Sequence, residues 1–360
     1  MAEMLAVGLM SGTSMDGIDA ALLRTDGDRL VRPVGFLSRP YDPPFRTRLQ
    51  AHLGRDRPER GFERDLTRAH ADLVTALLAR CGRPAADIAV IGFHGHTLWH
   101  RPDEGRTCQC GDGGLLAQLT GIDVVADLRS ADMAAGGQGA PLAPIYHAAL
   151  ARDDARPLAV LNLGGVANVT YLPGEGDMLA FDTGPANALI DDWCRRHTGE
   201  TCDWEGRLAA EGRVDEARLA AMLARDWFDL APPKSLDRDD FDLSAVDGLS
   251  PADGAATLTA FTVACIVRAR AHLPEAPRRW LVTGGGRHNP VLMAALGEAL
   301  NAPVEPVEAA GWRGDALEAE AFAYMAVRRL RGLPTSLPST TGCHGPTVGG
   351  VLHPAPSESG

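Results

Sequence analysis

Four stretches of the chain set glycine beside hydroxyl, amide or carboxylate side chains directly after an apolar run. They are MSGTSMDGID (10–19), NLGGVAN (162–168), FDTGPAN (181–187) and TGGG (283–286). Glycine lets a backbone approach a bound group, and successive amides can converge on an anion. A single such loop is an ordinary strand turn; four at strand ends point to a site that holds phosphates. None reads G-x-x-x-x-G-K-[ST], and none is a G-x-G-x-x-G opening a helix, so neither a P-loop nor a dinucleotide fingerprint is present. In the first loop Ser11, Thr13 and Ser14 can donate hydroxyl hydrogen bonds to phosphate oxygens. No lysine is there; the carboxylates of Asp16 and Asp19 would repel an anion unless a divalent cation or its water lay between. Asp16 serves equally as a turn residue, and Asp19 is the favoured metal-shell acid. Asp182 stands where an apolar strand opens into Thr183-Gly184-Pro185. A partly desolvated carboxylate there suits a general base, or else caps the turn and the following helix.

The elements that must carry these loops alternate. Met4–Met10 and Ala20–Thr25 read as a hairpin, RPVGFLSRPY as a third extended piece, and residues 61–82 as a helix whose apolar positions Leu66, Leu73, Val74, Leu77 and Leu78 end at Gly82. A buried strand from Ile88 to Phe93 leads into a polar loop, followed by a short helix and the strand IDVVADLR. After AAGGQGAPLAP the pattern restarts with PLAVLNLGGVANVTYLP, a second strand–loop–strand unit, and ends on the helix DALEAEAFAYMAVRRLRG. Two mixed α/β halves that begin with similar hairpins imply a duplicated architecture.

Composition narrows the class. The 360 residues are enough for two domains, and a formal charge of -12 argues against a nucleic-acid or anionic-membrane surface. No apolar run reads as long enough to span a membrane, and the N-terminus lacks a basic secretory n-region, so a cytoplasmic protein is expected. Seven cysteines with scattered spacing fit reduced thiols. Cys108 and Cys110 beside His94, His96 and His100 do not complete a tetrahedral ligand spacing.

The motifs GLMSGTSMDGID, FHGHTLWHRP, AAGGQGAPLAP, NLGGVANVTYLP, FDTGPANALIDDW, PPKS, TGGGRHNP, EAEAFAYMA and LPSTTG, spread from residue 8 to about 342, resemble those of the anhydro-N-acetylmuramic acid kinases. The resemblance implies two actin-like (ribonuclease H-like) α/β domains with mixed sheets flanked by helices and an ATP cleft between them. The expected division is 1–133 and 134–340, with 341–360 returning to the first domain. It also implies ATP and Mg²⁺ as cofactors, 1,6-anhydro-N-acetylmuramic acid as substrate, and a homodimer. The reaction implied is phosphorylation at O6 with hydrolysis of the anhydro bridge. By match to the family pattern, Asp182 is the catalytic carboxylate. Gly12, Thr13, Ser14, Met15, Asp16, Gly17, Ile18 and Asp19, with Ser11 before them, form the ATP-phosphate loop. Asn162, Gly164 and Gly165 form a second phosphate hairpin, and Gly284, Gly285 and Gly286 the loop facing the nucleoside. Glu318 would help hold sugar and water, with Glu320 a helix-surface residue. Arg129 and Asp132 support the sugar or form an interdomain ion pair, and His94 contacts substrate or braces a turn.

Three positions depart from the pattern: His96 where glutamine is usual, Leu236-Asp237-Arg238 after PPKS in place of Thr-Gly-Arg, and Leu128 where an aromatic is common. His96 could bring pH dependence near neutrality. Lys234 reaches a phosphate or lies on a surface turn. A kinase for a different sugar, or a nucleotide-binding scaffold, would share much of this pattern.

Overall fold

A computed structural model describes residues 2–12 and 14–356. Each sheet starts as an antiparallel meander and then turns parallel. In the first unit, β1 (Met4–Ser11) pairs antiparallel with β2 (Gly17–Thr25), and β2 with β3 (Val31–Pro40). After α1 (Pro43–Gln50) and α2 (Arg60–Cys81), β4 (Ile88–Arg101) comes back parallel to β1. β4 runs on through the expected polar loop and forms a hairpin with β5 (Arg106–Cys110), because His94 and His96 are buried strand residues and not loop residues. α3 (Gly113–Thr120) precedes β6 (Val124–Ala126), which is parallel to β4. The short helices α4 (Ser130–Ala134) and α5 (Pro144–Leu150) follow. α2 ends as its sequence predicts: Gly82 takes φ 62°, and its N–H and that of Arg83 return to the last carbonyls.

The second unit repeats the plan. β7 (Leu158–Leu163), β8 (Val166–Leu172) and β9 (Leu179–Pro185) form the antiparallel meander. α6 (Asn187–Thr198), α7 (Arg207–Glu211), α8 (Glu216–Leu223) and α9 (Pro251–Ala269) lead to β10 (Arg279–Thr283), parallel to β7. α10 (Pro290–Leu300) then leads to β11 (Val304–Pro306), parallel to β10. The order β11-β10-β7-β8-β9 matches β6-β4-β1-β2-β3 strand for strand. One stretch, Pro251–His272, does reach membrane-spanning length, against the expectation, but 67% of its most apolar window is buried. It is a core helix: Phe261, Cys265 and Ile266 pack into the second unit.

The chain finally returns to the first unit. α11 (Leu317–Leu330) lies on the first sheet, α12 (Pro338–Thr341) follows, and β12 (Val351–His353) pairs antiparallel with β6 at its edge. The compact units are 1–152 with 316–360, and 153–315. This corrects the expected boundaries, since 134–152 and 316–340 belong with the first unit. The reason is steric. A Cβ on Gly8 in β1 would collide with the carbonyl oxygen of Ala319, and one on Gly92 in β4 with that of Phe322. Two glycines at mid-strand therefore let the α11 backbone rest directly on the sheet, and the alanines Ala319, Ala321, Ala323 and Ala326 keep the contact thin.

Replacing Gly92 with valine should lower stability by about 3 kcal/mol, because helix and sheet must separate. Gly297→Ala, in open space on α10, should raise it by about 1 kcal/mol. Urea unfolding midpoints of the two variants, moving in opposite directions, check the contrast.

Candidate active site

In the first unit the loop 12–16 joins two buried strands. Met15 takes φ 56°, and its N–H closes a turn on the Gly12 carbonyl at 3.0 Å. Its side chain packs with Leu49, Phe62, Leu66, Leu98 and Cys110, so it anchors the loop and does not face a ligand. Ile18 likewise belongs to the core. Thr13 lies outside the described residues. Gly12, Ser14, Asp16, Gly17, Asp19 and Glu318 line a polar recess of about 230 Å³. Its described lining carries three carboxylates and no basic side chain. A phosphate could enter such a recess only together with a cation; the three carboxylates do not by themselves form a metal-holding group, so they would meet Mg²⁺ only through its waters. Arg46, which sequence reasoning missed, reaches the loop from α1: its Nη2 lies 3.5 Å from the Ser14 carbonyl and 4.0 Å from Asp16 Oδ1.

Ser11 behaves differently from expectation. Its Oγ is buried between Tyr41 Oη (2.8 Å) and His96 Nδ1 (2.9 Å), which holds the start of the loop and turns the hydroxyl away from the recess. Burial lowers the pKa of His96 to about 4. The imidazole is neutral across the physiological range, so the expected pH dependence near neutrality does not arise from this residue.

β4, α4 and α11 supply a second group in the same unit. Arg129 donates to the Gly139 carbonyl at 2.6 Å and, through Nη2 at 2.9 Å, to His94 Nε2. His94 Nδ1 in turn donates to the Gly95 carbonyl at 2.9 Å, which fixes the neutral tautomer. Desolvation, and then the Arg129 charge, hold His94 well below its ordinary value. Burial draws Arg129 down to about 10, while Glu318 and Asp132 work in the opposite direction. Arg129, His94 and Glu318 therefore form one electrostatic group. Asp132 belongs to the framework: it accepts from Gly139 N–H at 2.7 Å and from the Thr341 hydroxyl at 2.6 Å, tying the 136–139 loop to α12. The two α11 acids differ, and Glu320 is not the helix-surface residue expected. Glu318 is exposed, whereas Glu320 is buried and accepts from Tyr146 Oη at 2.7 Å.

In the second unit three of the four glycine loops meet. Thr283, Asn162, Asn168 and Asp182 lie in one register row across β10, β7, β8 and β9. Asn187 Nδ2 donates to the Leu163 carbonyl at 2.7 Å, and its N–H to that of Gly164 at 3.0 Å, so the end of FDTGPAN clasps the β7–β8 turn. Gly284, at φ 78°, packs so close that a Cβ there would meet Leu163 and Asn162; one on Gly286 would meet Leu163 and Asn187. Gly285 is the open member. Arg287, another residue the sequence did not single out, is buried and braces this loop through the Gly284 carbonyl (3.0 Å), Glu308 (3.1 Å) and Asp315 (2.5 Å). It also lines a cavity of about 550 Å³ with Glu205, His288, Pro290 and Met293.

Asp182 has a strongly perturbed carboxyl. Desolvation raises its pKa to about 7, only partly countered by the Leu236 N–H, which donates to Oδ2 at 2.8 Å. Its own N–H donates to the Lys234 carbonyl at 2.9 Å. Lys234 is neither on a surface turn nor free to meet phosphate. Only 6% exposed, it donates through Nζ to the carbonyls of Phe228 (2.7 Å) and Trp227 (3.2 Å). Among the described residues no group of three or more metal-ligating side chains forms around Cys108 and Cys110.

The anhydro-N-acetylmuramic acid kinase family matches residues 4–355. A protein of that name from Rhizorhabdus wittichii is 56% identical over 363 residues, covering 98% of this chain and 100% of its own. One from Paramagnetospirillum magneticum is 55% identical over 353 residues, covering 97% and 99%. Among solved structures, the component A of the Acidaminococcus fermentans (R)-2-hydroxyglutaryl-CoA dehydratase is similar at a TM-score of 0.49 and 12% identity over 91% of this chain and 99% of that one, a likeness too distant to argue from. A match over nearly the full length, at more than half identity, shows that the chain belongs to the anhydro-N-acetylmuramic acid kinase family.

Proposed function

We propose that the protein transfers the γ-phosphoryl group of ATP to O6 of 1,6-anhydro-N-acetylmuramic acid while water opens the anhydro bridge. The products are ADP and N-acetylmuramic acid 6-phosphate, a step in peptidoglycan recycling. The observation that supports this most is the carboxyl of Asp182, held near pKa 7 in the middle of β9, which runs on through Pro185 past the point where the sequence suggests a loop. A base is most effective when its pKa lies near the operating pH. In this reading Asp182 takes a proton from the water attacking C1. The C1–O6 bond breaks, O6 bonds to the γ-phosphorus, and the bond from that phosphorus to the β,γ-bridging oxygen breaks to release ADP.

The remaining residues bind and orient. The 12–19 loop would hold phosphate oxygens with backbone amides and the Ser14 hydroxyl, its start fixed by Ser11 and His96. Asn162, Gly164 and Gly165 would form a second phosphate turn, and Gly284 to Gly286 would face the nucleoside. Asp19 would hold Mg²⁺ through water in the carboxylate-lined recess, where the cation supplies charge neutralisation for the phosphates. Arg129, steadied by His94, would face the lactyl carboxylate of the sugar, and Glu318 its hydroxyls or water.

ADP release by the purified protein should require both Mg²⁺ and the anhydro sugar, read by a coupled assay; release indifferent to the sugar would point to a nucleotide-binding scaffold instead. Asp182→Asn should lower kcat about a thousandfold and leave nucleotide affinity unchanged by calorimetry. Because the base must be ionised, kcat/KM should rise with pH through about 7 and level off above it. A flat profile between pH 5.5 and 8.5 counts against Asp182 as the base.

A further inference from the structure

We propose that Lys234 is a positioning residue for Asp182: its ammonium anchors the turn whose backbone grips that carboxylate. The inference rests on the reading of Asp182 as the base. Two bonds join the turn to the middle of β9. The Asp182 N–H reaches the Lys234 carbonyl at 2.9 Å, and the Leu236 N–H reaches Asp182 Oδ2 at 2.8 Å. The second bond occupies one carboxylate oxygen and fixes the plane of the group.

The turn is itself pinned by the lysine. Nζ donates to the carbonyls of Phe228 and Trp227 and sits 4.5 Å from the centre of the Trp227 ring, while Trp227 Nε1 donates to the Ser235 carbonyl at 3.3 Å. Residues 227–228 and 234–236 are thereby locked together by side chain and backbone at once. The other titratable groups facing Nζ are Asp229, from the preceding single turn of helix, Cys265 and Arg268 on α9, and His272 just beyond it. His272 Nε2 lies 3.4 Å from Nζ and also meets the Phe228 carbonyl at 2.9 Å.

Burying an ammonium is costly, and burial lowers its pKa to about 8. A residue needed only to fill space would be apolar. What the ammonium adds is several directed donors from one point, which tie successive carbonyls that no side chain of the turn itself could reach. The grip on Asp182 uses backbone groups only, so it does not depend on the side chain at 236.

Lys234→Met keeps the length and removes the donors. With the Leu236 N–H displaced, the Asp182 carboxyl loses a bond to its ionised form, and its pKa should rise by about one pH unit. In the variant the acid limb of the kcat/KM profile should move to higher pH. The rate at pH 7 should fall about fivefold and largely recover at pH 9, with KM for ATP within about twofold of the parent. The same shift should appear without turnover, as the titration of the Asp182 carboxyl carbon by NMR, assigned by its loss in Asp182→Asn. An equal loss at every pH, with an unmoved carboxyl titration, would overturn the proposal. In the unaltered protein the Leu236 amide should be protected from hydrogen exchange; an amide exchanging as in a free loop would also overturn it. Near-normal turnover by Asp182→Asn would instead remove the base assignment, and the NMR titration would still report on the grip.

Discussion

The contact on which the first unit depends is backbone against backbone. Helices normally stand off a sheet on interdigitated side chains. Here α11 rests on Gly8 and Gly92, so its register against β1 and β4 is set by main-chain atoms that cannot change rotamer. Two consequences follow along α11. Glu318 is placed at the polar recess and Glu320 is turned inward to Tyr146. The strand β1 that bears Gly8 is the one that ends in the buried Ser11–His96 pair and opens into the 12–19 loop. Loop, recess and acid thus share one rigid backbone contact, to which Arg46 adds a side-chain brace on the loop.

The second unit solves a different problem, holding a half-buried carboxylate among apolar neighbours without leaving it unbonded. The four-strand polar row delivers Asp182 to the surface of an otherwise apolar sheet, and a single backbone N–H satisfies one of its oxygens. More donors would have stabilised the anion and removed its basicity; none would have left a buried acid free to rotate. The position of the pKa near neutrality reflects desolvation, which raises it, partly offset by that one donor. The same unit gathers the β7–β8 turn, the FDTGPAN turn and the triple glycine into one cluster through Asn187 and Arg287.

Much of this was legible in the sequence because it is local. The meanders, the end of α2 at Gly82 and the identity of the glycine loops follow from period and turn chemistry within ten or twenty residues. What failed was long-range. His94 and His96 look like loop residues until β5 pairs with β4 and buries them. Ser11 looks like a phosphate donor until Tyr41 and His96 take its hydroxyl. Lys234 looks exposed because its partners are carbonyls, which carry no signature in sequence. Glu318 and Glu320 differ by two residues on one helix, and only the position of Tyr146, far upstream, decides which is buried. The domain boundary failed for the same reason: AAGGQGAPLAP is punctuated like a linker, yet Asp132 and Thr341 tie it into the first unit.

The discontinuity of the first unit has a consequence in time as well as space. Its sheet is nearly complete by residue 126, but the helix that covers it and the strand that closes its edge lie beyond residue 316. The segment 153–315, by contrast, contains every strand of its own sheet. As the chain leaves the ribosome, the second unit has all its parts before the first does. Until α11 arrives, Gly8 and Gly92 present a smooth, uncovered strip of sheet. During that interval the strip stays open to other chains, and it is α11 and β12, made after the whole second unit, that cover the sheet and close its edge.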